Sequence, residues 1–414
     1  SLAIACLSGC SAANTEIASS SAATATVTPT TDSTEVPASN NVFTSAGDGL
    51  YVTTDSGIYE LQTVFPDSAN IFYTDANTKE RIFLCANPNC THADESCPSY
   101  IATPSAMFPP MLLRVGDQLL VVFTEATDSS NPHGMLMNMD GSNRRTVFEL
   151  ASNQYMQGGF CTSGNDLYFD LYEINDSGNV TYQLWYVSFE NGTSEKVMDL
   201  GSDSDHYSLC DGANNELCFN HVSSDGISYC MYNPQSKTIS DPFFVDSSVS
   251  GNSMIQDGYL FVLDEQASSV QRIRLSDEEQ ASASFTVKEG FGAPSMRYLF
   301  DGNLMITEAQ TTASDIPTDG SYGVCSYILD FGTRNCTEFT LQTPYNNRPV
   351  YVLTTIGDAC YVATDYKTYT PTSVSEDGTV SNFDYVANIY AFITKQDYIN
   401  SNQNGYSMVK DAFE

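Results

Sequence analysis

Gly164-Asn165-Asp166-Leu167-Tyr168-Phe169 sets a turn of Gly, Asn and Asp before a short apolar run, and the same phrase recurs along the chain. The other copies begin at Gly47 (GDGLYV), Gly116 (GDQLLV), Asn214 (NNELCF), Asp257 (DGYLFV), Asp301 (DGNLMI) and Gly357 (GDACYV), a mean spacing of about 52 residues. A second hairpin with polar turn residues follows, as in Ile71 to Cys85, Met135 to Leu150, Gln183 to Leu200 and Val324 to Leu341. Four strands per repeat is therefore the natural count. Few segments keep a helical period, whereas short runs with period-two alternation are frequent. Seven such units closed radially predict an all-β chain, a seven-bladed β-propeller with four-stranded antiparallel blades, which protects most sheet edges. The competing reading is a string of two or three β-sandwiches, an arrangement that does not require one motif at this period.

Composition narrows the function. The 414 residues carry 51 Asp and Glu against 16 Lys and Arg, a formal charge of -35. Arg144-Arg145 is the densest basic pair, so neither a nucleic-acid backbone nor an anionic membrane surface is an expected partner. Only 16% of residues are charged while 41% are apolar and 12% aromatic, enough for a large packed core. No run approaches the 18 or so apolar residues that a membrane-crossing helix needs.

The first residues, SLAIACLSG, are apolar and end in small side chains before Cys10. Leu7-Ser8-Gly9-Cys10 resembles the lipobox of bacterial lipoproteins, in which the Cys thiol receives a diacylglyceryl group and becomes the mature amino terminus. On that resemblance residues 1–9 are the remnant of a signal peptide and Cys10 is the lipidation site. Residues 11–41 are rich in Ser, Thr and Ala and lack large apolar side chains, so 10–41 reads as a lipidated residue and its flexible tether, about 30 Å in mean reach. Residues 42–414 form the propeller. The expected location is the bacterial cell surface, on the outer side of the cytoplasmic membrane, as a lipid-anchored monomer.

Ile71-Phe72-Tyr73-Thr74-Asp75 and Asn138-Met139-Asp140-Gly141-Ser142-Asn143 are similar to repeat phrases of TolB-like and low-density-lipoprotein-receptor-like propellers. Cys85-Ala86-Asn87-Pro88-Asn89-Cys90-Thr91-His92-Ala93-Asp94-Glu95-Ser96-Cys97 resembles a Cys-x4-Cys-x-His-x4-Cys segment of propeller lipoproteins from anaerobic Firmicutes. That resemblance implies a fold and a location, and carries no activity with it.

Cys85, Cys90, His92 and Cys97 supply three thiolates and an imidazole within 13 residues, which fills a tetrahedral structural zinc shell and leaves no open position for catalysis. The alternative is oxidation, for instance a Cys85–Cys97 disulfide with His92 exposed. Cys325 with Cys336, and Cys218 with Cys230, flank predicted hairpins and are candidate cross-strand neighbours.

If strands run outward from the centre, the loops between the second and third strands share one face. They read as long at residues 124–133, 172–180, 308–321 and 365–386 and as short in repeats 4 and 5, while the Cys/His insertion joins repeats 1 and 2. This wall of loops is the expected ligand surface, with Asp365, Tyr366, Lys367, Tyr369, Tyr385 and His133 as candidate contacts, against the alternative of neutral loop growth. The chain contains no Gly-x-Ser-x-Gly elbow, His-Glu-x-x-His pair, phosphate-binding Gly loop or complete EF-hand loop. The leading reading is an extracellular binding module for a glycan, peptide or protein. The alternatives are a carboxylate-dependent glycan hydrolase or lyase, and a scaffold or sensor subunit of an envelope complex.

Overall fold

The computed structural model describes residues 43–45, 49–64, 68–103, 109–246, 252–310, 323–369, 372–374, 380–382 and 385–412. Residues 1–42 lie outside these, and with them the expected signal remnant, Cys10 and the tether. Contacts divide the chain into a unit of Val36–Tyr366 with Asn388–Glu414 and a second of Ser1–Glu35 with Lys367–Ala387. In the second, Thr372–Val374 pairs antiparallel with Val380–Asn382.

The first unit is built from four-stranded antiparallel meanders, each laid down in sequence order. Sheet 1 runs from Tyr51–Thr53 to Arg81–Phe83, sheet 2 from Met111–Val115 to Arg145–Glu149, and sheet 3 from Gln154–Ser163 to Thr193–Ser202. Sheet 4 runs from Asp205–Ala213 to Thr238–Ile239 and joins sheet 3 through only two rungs, Gly201↔His206 and Ser202↔Asp205. Sheets 5, 6 and 7 begin at Ser253–Gln256, Phe291–Tyr298 and Val352–Ile356. The second strand of sheet 3, Asp166–Ile174, shows why the strands read as apolar runs: Leu167 to Leu171 are buried without a break, because both sheet faces are covered.

The cores lie between sheets. Leu61 and Ile71 of sheet 1 pack with Leu119 and Val121 of sheet 2, and Leu120 and Val122 with Phe160 and Phe169 of sheet 3. The series continues through sheets 4, 5 and 6 to sheet 7, whose Tyr361, Tyr390 and Phe392 return to Ile58 of sheet 1. Each sheet thus buries its two faces against the one before and the one after, and the last meets the first. That closure makes the fold a β-propeller and not a row of sandwiches.

Closure is polar as well as apolar. Thr53 and Thr354 hydroxyls meet at 2.9 Å, and the carboxy-terminal residues cross from sheet 7 to sheet 1: the Val409 amide donates to Tyr390 O, Lys410 to Lys79 O, and Arg81 to Lys410 O, each at 2.9 Å. Arg81 is almost fully buried, its Nε donating to Glu60 at 2.9 Å, Nη2 to Gln62 at 2.7 Å and Nη1 to Asp411 at 3.2 Å. The Tyr390 hydroxyl donates to Glu60, and the guanidinium stacks 3.7 Å from the centre of Phe72.

Two expectations change. The first repeat was expected at Gly47, but the turn between the two innermost strands of sheet 1 is Thr54–Ser56, where the Thr54 amide donates to Gly57 O at 2.9 Å. Gly47-Asp48-Gly49 and Asp55-Ser56-Gly57 are equivalent turn signals, so only pairing distinguishes them. Ahead of sheet 1, Thr44–Ser45 adds to the innermost strand of sheet 3 through Thr44↔Thr162 and Ser45↔Cys161, and Phe43 packs edge-on against Tyr168. The loop at 172–180 contracts to 175–179, because Tyr172↔Tyr182 and Ile174↔Val180 continue the ladder.

Candidate metal centre and binding face

The Cys/His segment does not link two sheets. Arg81–Phe83 and Tyr100–Ala102 both pair with Ser68–Asp75, so the segment interrupts the outermost strand of sheet 1. Its turns are local: Cys90 N donates to Asn87 O at 3.2 Å, Cys97 N to Asp94 O at 3.0 Å, and His92 adopts φ 56°. Gly141 and Arg144, in the outer hairpin of sheet 2, hold it down. Arg144 donates to Tyr100 O at 2.6 Å and also to Pro98 O, while a Cβ at Gly141 (φ 78°) would lie 2.4 Å from Pro98 O.

This folding brings the ligand atoms of Cys85, Cys90, His92 and Cys97 within 4.8 Å of one another. Tetrahedral zinc with bonds of about 2.0 to 2.3 Å needs ligand separations of about 3.5 to 3.8 Å, so contraction by about an ångström completes the shell. His92 Nδ1 is already 3.3 Å from Cys97 Sγ, and the His92 ring stacks on Phe83 with centres 4.0 Å apart. Behind the sulfur, Cys97 Sγ and Ser99 Oγ are 3.1 Å apart, and Ser99 Oγ donates to Asn70 at 2.9 Å. Burial opposes ionisation of Cys97, yet the hydrogen bonds from Ser99 and His92 outweigh it and bring the thiol to about 6. Burial, with Cys97 and Cys90 alongside, pushes Cys85 up to about 11.

All ten cysteines among the described residues are free thiols. The two expected cross-strand pairs do not face each other. Cys230 is opposite Phe219 while Cys218 is opposite Met231, which puts the two sulfurs on opposite sheet faces. Cys336 is opposite Leu329, and Cys325 is opposite Glu308 on the other neighbouring strand. A hairpin read from sequence gives proximity without register.

Among the expected ligand contacts, Asp365 and Tyr366 lie near the end of Ala359–Tyr369; Asp365 accepts the Tyr345 amide at 2.9 Å, and the Tyr345 and Tyr366 rings are 5.6 Å apart. Arg297 lies 4.3 Å over Tyr351. Lys367 is exposed; Tyr369 and Tyr385 end and begin the strands Ala359–Tyr369 and Tyr385–Thr394. The loop at 311–322 lies outside the described residues. His133 opens a strand of sheet 2, stacked on Phe123 at 4.4 Å, and its Nδ1 is 2.7 Å from Asn131 O. No described contact joins His133 to Tyr366.

Sequence reasoning missed a row of half-exposed rings at the same strand ends of sheets 3 and 4. Tyr155 stacks on Tyr172 at 5.0 Å, Tyr172 lies 6.2 Å from Tyr182, and Tyr182 stacks on His206 at 3.9 Å. On the next rung Tyr207 stacks on His221, whose Nε2 is 2.6 Å from Asp205. Glu125, from the sheet 2 loop, carries a pKa raised by burial and acts electrostatically on Tyr172. Alternation places each ring on one side of its strand, but only the pairing register aligns them across strands.

The carboxylates most displaced in acidity are not a catalytic pair. Burial raises Asp170 to about 7, against Leu209 N donating at 3.1 Å, and raises Asp211 to about 6, where Gly212 and Gly258 amides donate at 2.7 and 2.8 Å. Both sit between sheets and bond backbone. Between the ordinary carboxylate range and about 7 the unfolded chain has released the Asp170 proton while the folded chain keeps it, so this group makes stability fall as pH rises through that window. Asp170→Asn is therefore expected to flatten the decline and, at pH 8, to stabilise by a few kcal/mol. Urea unfolding from pH 4 to 8 checks it, and a variant as pH-dependent as the parent contradicts it.

No family model and no curated protein matches this sequence. Solved structures match at low similarity. Oligogalacturonate lyase from Vibrio parahaemolyticus is 9% identical with a TM-score of 0.40, covering 86% of this chain and 93% of that one. TolB from Acinetobacter baumannii is 8% identical with a TM-score of 0.35, over 86% and 77%. The β-propeller domain of the Trilobed protease from Pyrococcus furiosus is 13% identical with a TM-score of 0.37, over 74% and 99%. The chain spans 35% of the length of the tricorn protease, another match. The class that the sheets and the cluster define is a β-propeller with a Cys3His cluster built into an outer strand. Among the described residues no helix is long and apolar enough to cross a membrane.

Proposed function

We propose that the protein is a seven-bladed, lipid-anchored binding module of the bacterial cell surface, tethered through Cys10, whose second-to-third-strand face captures a glycan, and whose Cys85, Cys90, His92 and Cys97 hold a structural zinc. The observation that carries the binding assignment is the row Tyr155, Tyr172, Tyr182 and His206, half-exposed and bordered by Glu125. Phenol rims beside a carboxylate offer hydroxyl-bonding groups next to apolar ring edges, the combination a sugar presents in complement. Asp365, Tyr366 and His133 are assigned to the same proposed face. Peptide and protein ligands are the competing occupants. A carboxylate-dependent hydrolase or lyase gains no observation, since Asp170 and Asp211 are enclosed.

The test is titration of residues 42–414 with a panel of oligosaccharides, and with cationic and neutral peptides, by calorimetry. At least one glycan is expected to bind, and Tyr172→Ala or Tyr182→Ala to weaken it about tenfold or more with folding retained, the effect of truncating an aromatic hot spot. Binding of peptides alone, or glycan binding indifferent to both substitutions, overturns the assignment.

A further inference from the structure

At the other end of the strands, where the first-to-second-strand turns of sheets 1 and 7 meet, a cleft of about 450 Å³ opens, within the size range of small-molecule sites. Asp55 and Thr54 come from the sheet 1 turn, Thr355 and Gly357 from the sheet 7 turn, Lys79 from the outer hairpin of sheet 1, and Arg114 from the innermost strand of sheet 2. In sheet 7 the strand Ala359–Tyr369 separates this cleft from Tyr366, so it is distinct from the face described above.

Its charge is unlike that of the chain. The protein carries 51 acidic against 16 basic side chains, yet the cleft is lined by two cations and a single carboxylate. Lys79 is half-buried, with Nζ 4.0 Å from the centre of the Phe392 ring and donating to Ala76 O. It forms no ion pair within 4.0 Å among the described residues. The neighbouring Asp75 directs its Oδ1 to the Asn77 and Thr78 amides at 2.8 Å instead. Lys79 also holds φ 61°, a left-handed conformation that costs a lysine energy, and its amide donates to Asp75 O at 3.0 Å, closing the turn that sets the side chain at the cleft. Burial lowers its pKa, and the nearby Asp75 charge offsets that lowering only in part. Arg114, which lines the cleft, donates from Nε to Gly116 O at 2.9 Å, and its one ion pair among the described residues is with the fully exposed Asp117, at 3.5 Å.

We propose that this cleft is a binding site for a small oxyanion-bearing, hydroxylated molecule, its anionic group held by Lys79 and Arg114 and its hydroxyls by Asp55 and the threonines. A guanidinium and an ammonium together suit a carboxylate or a phosphate, and Asp55, which disfavours a second negative charge at its end of the cleft, accepts hydrogen bonds from hydroxyl groups. The two sources of the oxyanion are told apart by the probes.

Residues 42–414 are titrated by calorimetry with glucuronate, glucose 6-phosphate and glucose at low and physiological salt. One or both anions are expected to bind, more tightly at low salt, and glucose at least about tenfold more weakly. Lys79→Gln and Arg114→Gln each lower the anion affinity about tenfold or more, as removal of a charged hydrogen-bond donor does. Arg114 is exposed and lies opposite Leu119 on its ladder, so Arg114→Gln keeps the fold if Lys79→Gln does not. Tyr172→Ala leaves this binding unchanged, which separates it from the glycan face. Equal binding of glucose, no binding of either anion, or binding indifferent to Arg114→Gln overturns the proposal; preference for glucuronate assigns a sugar acid and preference for glucose 6-phosphate a phosphorylated ligand.

Discussion

Arg81→Ala is expected to destabilise the propeller by about 3 to 5 kcal/mol, the cost of breaking a buried ion pair by removing one partner. Arg81 and Glu60 are both nearly inaccessible to solvent, with side-chain exposures of 1% and 5%, so the substitution leaves the Glu60 carboxylate, among the described residues, with the Tyr390 hydroxyl as its hydrogen-bond donor and no cation beside it. The loss is larger than one pair because the guanidinium also reaches Gln62 and Asp411, and so ties sheet 1 to the carboxy-terminal residues that cross from sheet 7. Arg81→Lys does not restore it: an ammonium cannot bond three partners in the guanidinium plane or stack on Phe72 in the same way. The pair with Glu60→Gln, by contrast, recovers much of the loss, since the second change removes the stranded charge. Guanidinium unfolding of the four proteins measures the cycle. A loss below about 1 kcal/mol for Arg81→Ala would show that the closing network is no stronger than a surface ion pair.

The repeat phrase was legible because its turn chemistry and its apolar run both follow from local geometry, and six of the seven copies mark the turn between the first two strands of a sheet. The seventh failed for the same reason. Gly47-Asp48-Gly49 and Asp55-Ser56-Gly57 are interchangeable as local signals, and only the pairing of Tyr51–Thr53 with Gly57–Val64 decides between them. The ion network at Arg81 was illegible, since Glu60, Arg81, Tyr390 and Asp411 come together through closure of the ring, a contact of very long sequence separation. The Cys/His cluster was legible as a ligand set from its spacing, but its place inside an outer strand needed the knowledge that Arg81–Phe83 and Tyr100–Ala102 share one partner. The row of rings from Tyr155 to His206 is the opposite case: each ring stands alone in sequence, and register makes the row.

Zinc is expected at one ion per chain in residues 42–414 purified without oxygen, lost when Cys90 or His92 becomes Ala. Three sulfurs and one ring nitrogen within 4.8 Å form a closed donor set, and structural zinc in such sets contributes about 10 to 16 kcal/mol of apparent binding free energy at pH 7 in small domains. With zinc bound, the loop would draw its order from that bond, since its side chains from Cys85 to Ser96 are half-exposed or exposed. Zinc removal is therefore expected to expose the segment to proteolysis while the sheets persist. Ser99→Ala gives the sharper readout. Its hydroxyl lies 3.1 Å from Cys97 Sγ and, turned from Asn70 towards a zinc-bound thiolate, would donate to it, so losing it should weaken zinc binding about 10- to 100-fold, as loss of an outer partner does at other metal sites, without touching a ligand. Elemental mass spectrometry with a thiol count, followed by chelator competition, makes both measurements. A zinc-free chain with Cys85 and Cys97 oxidised would replace the metal clamp by a disulfide, and unchanged zinc affinity in Ser99→Ala would remove the hydroxyl from the site.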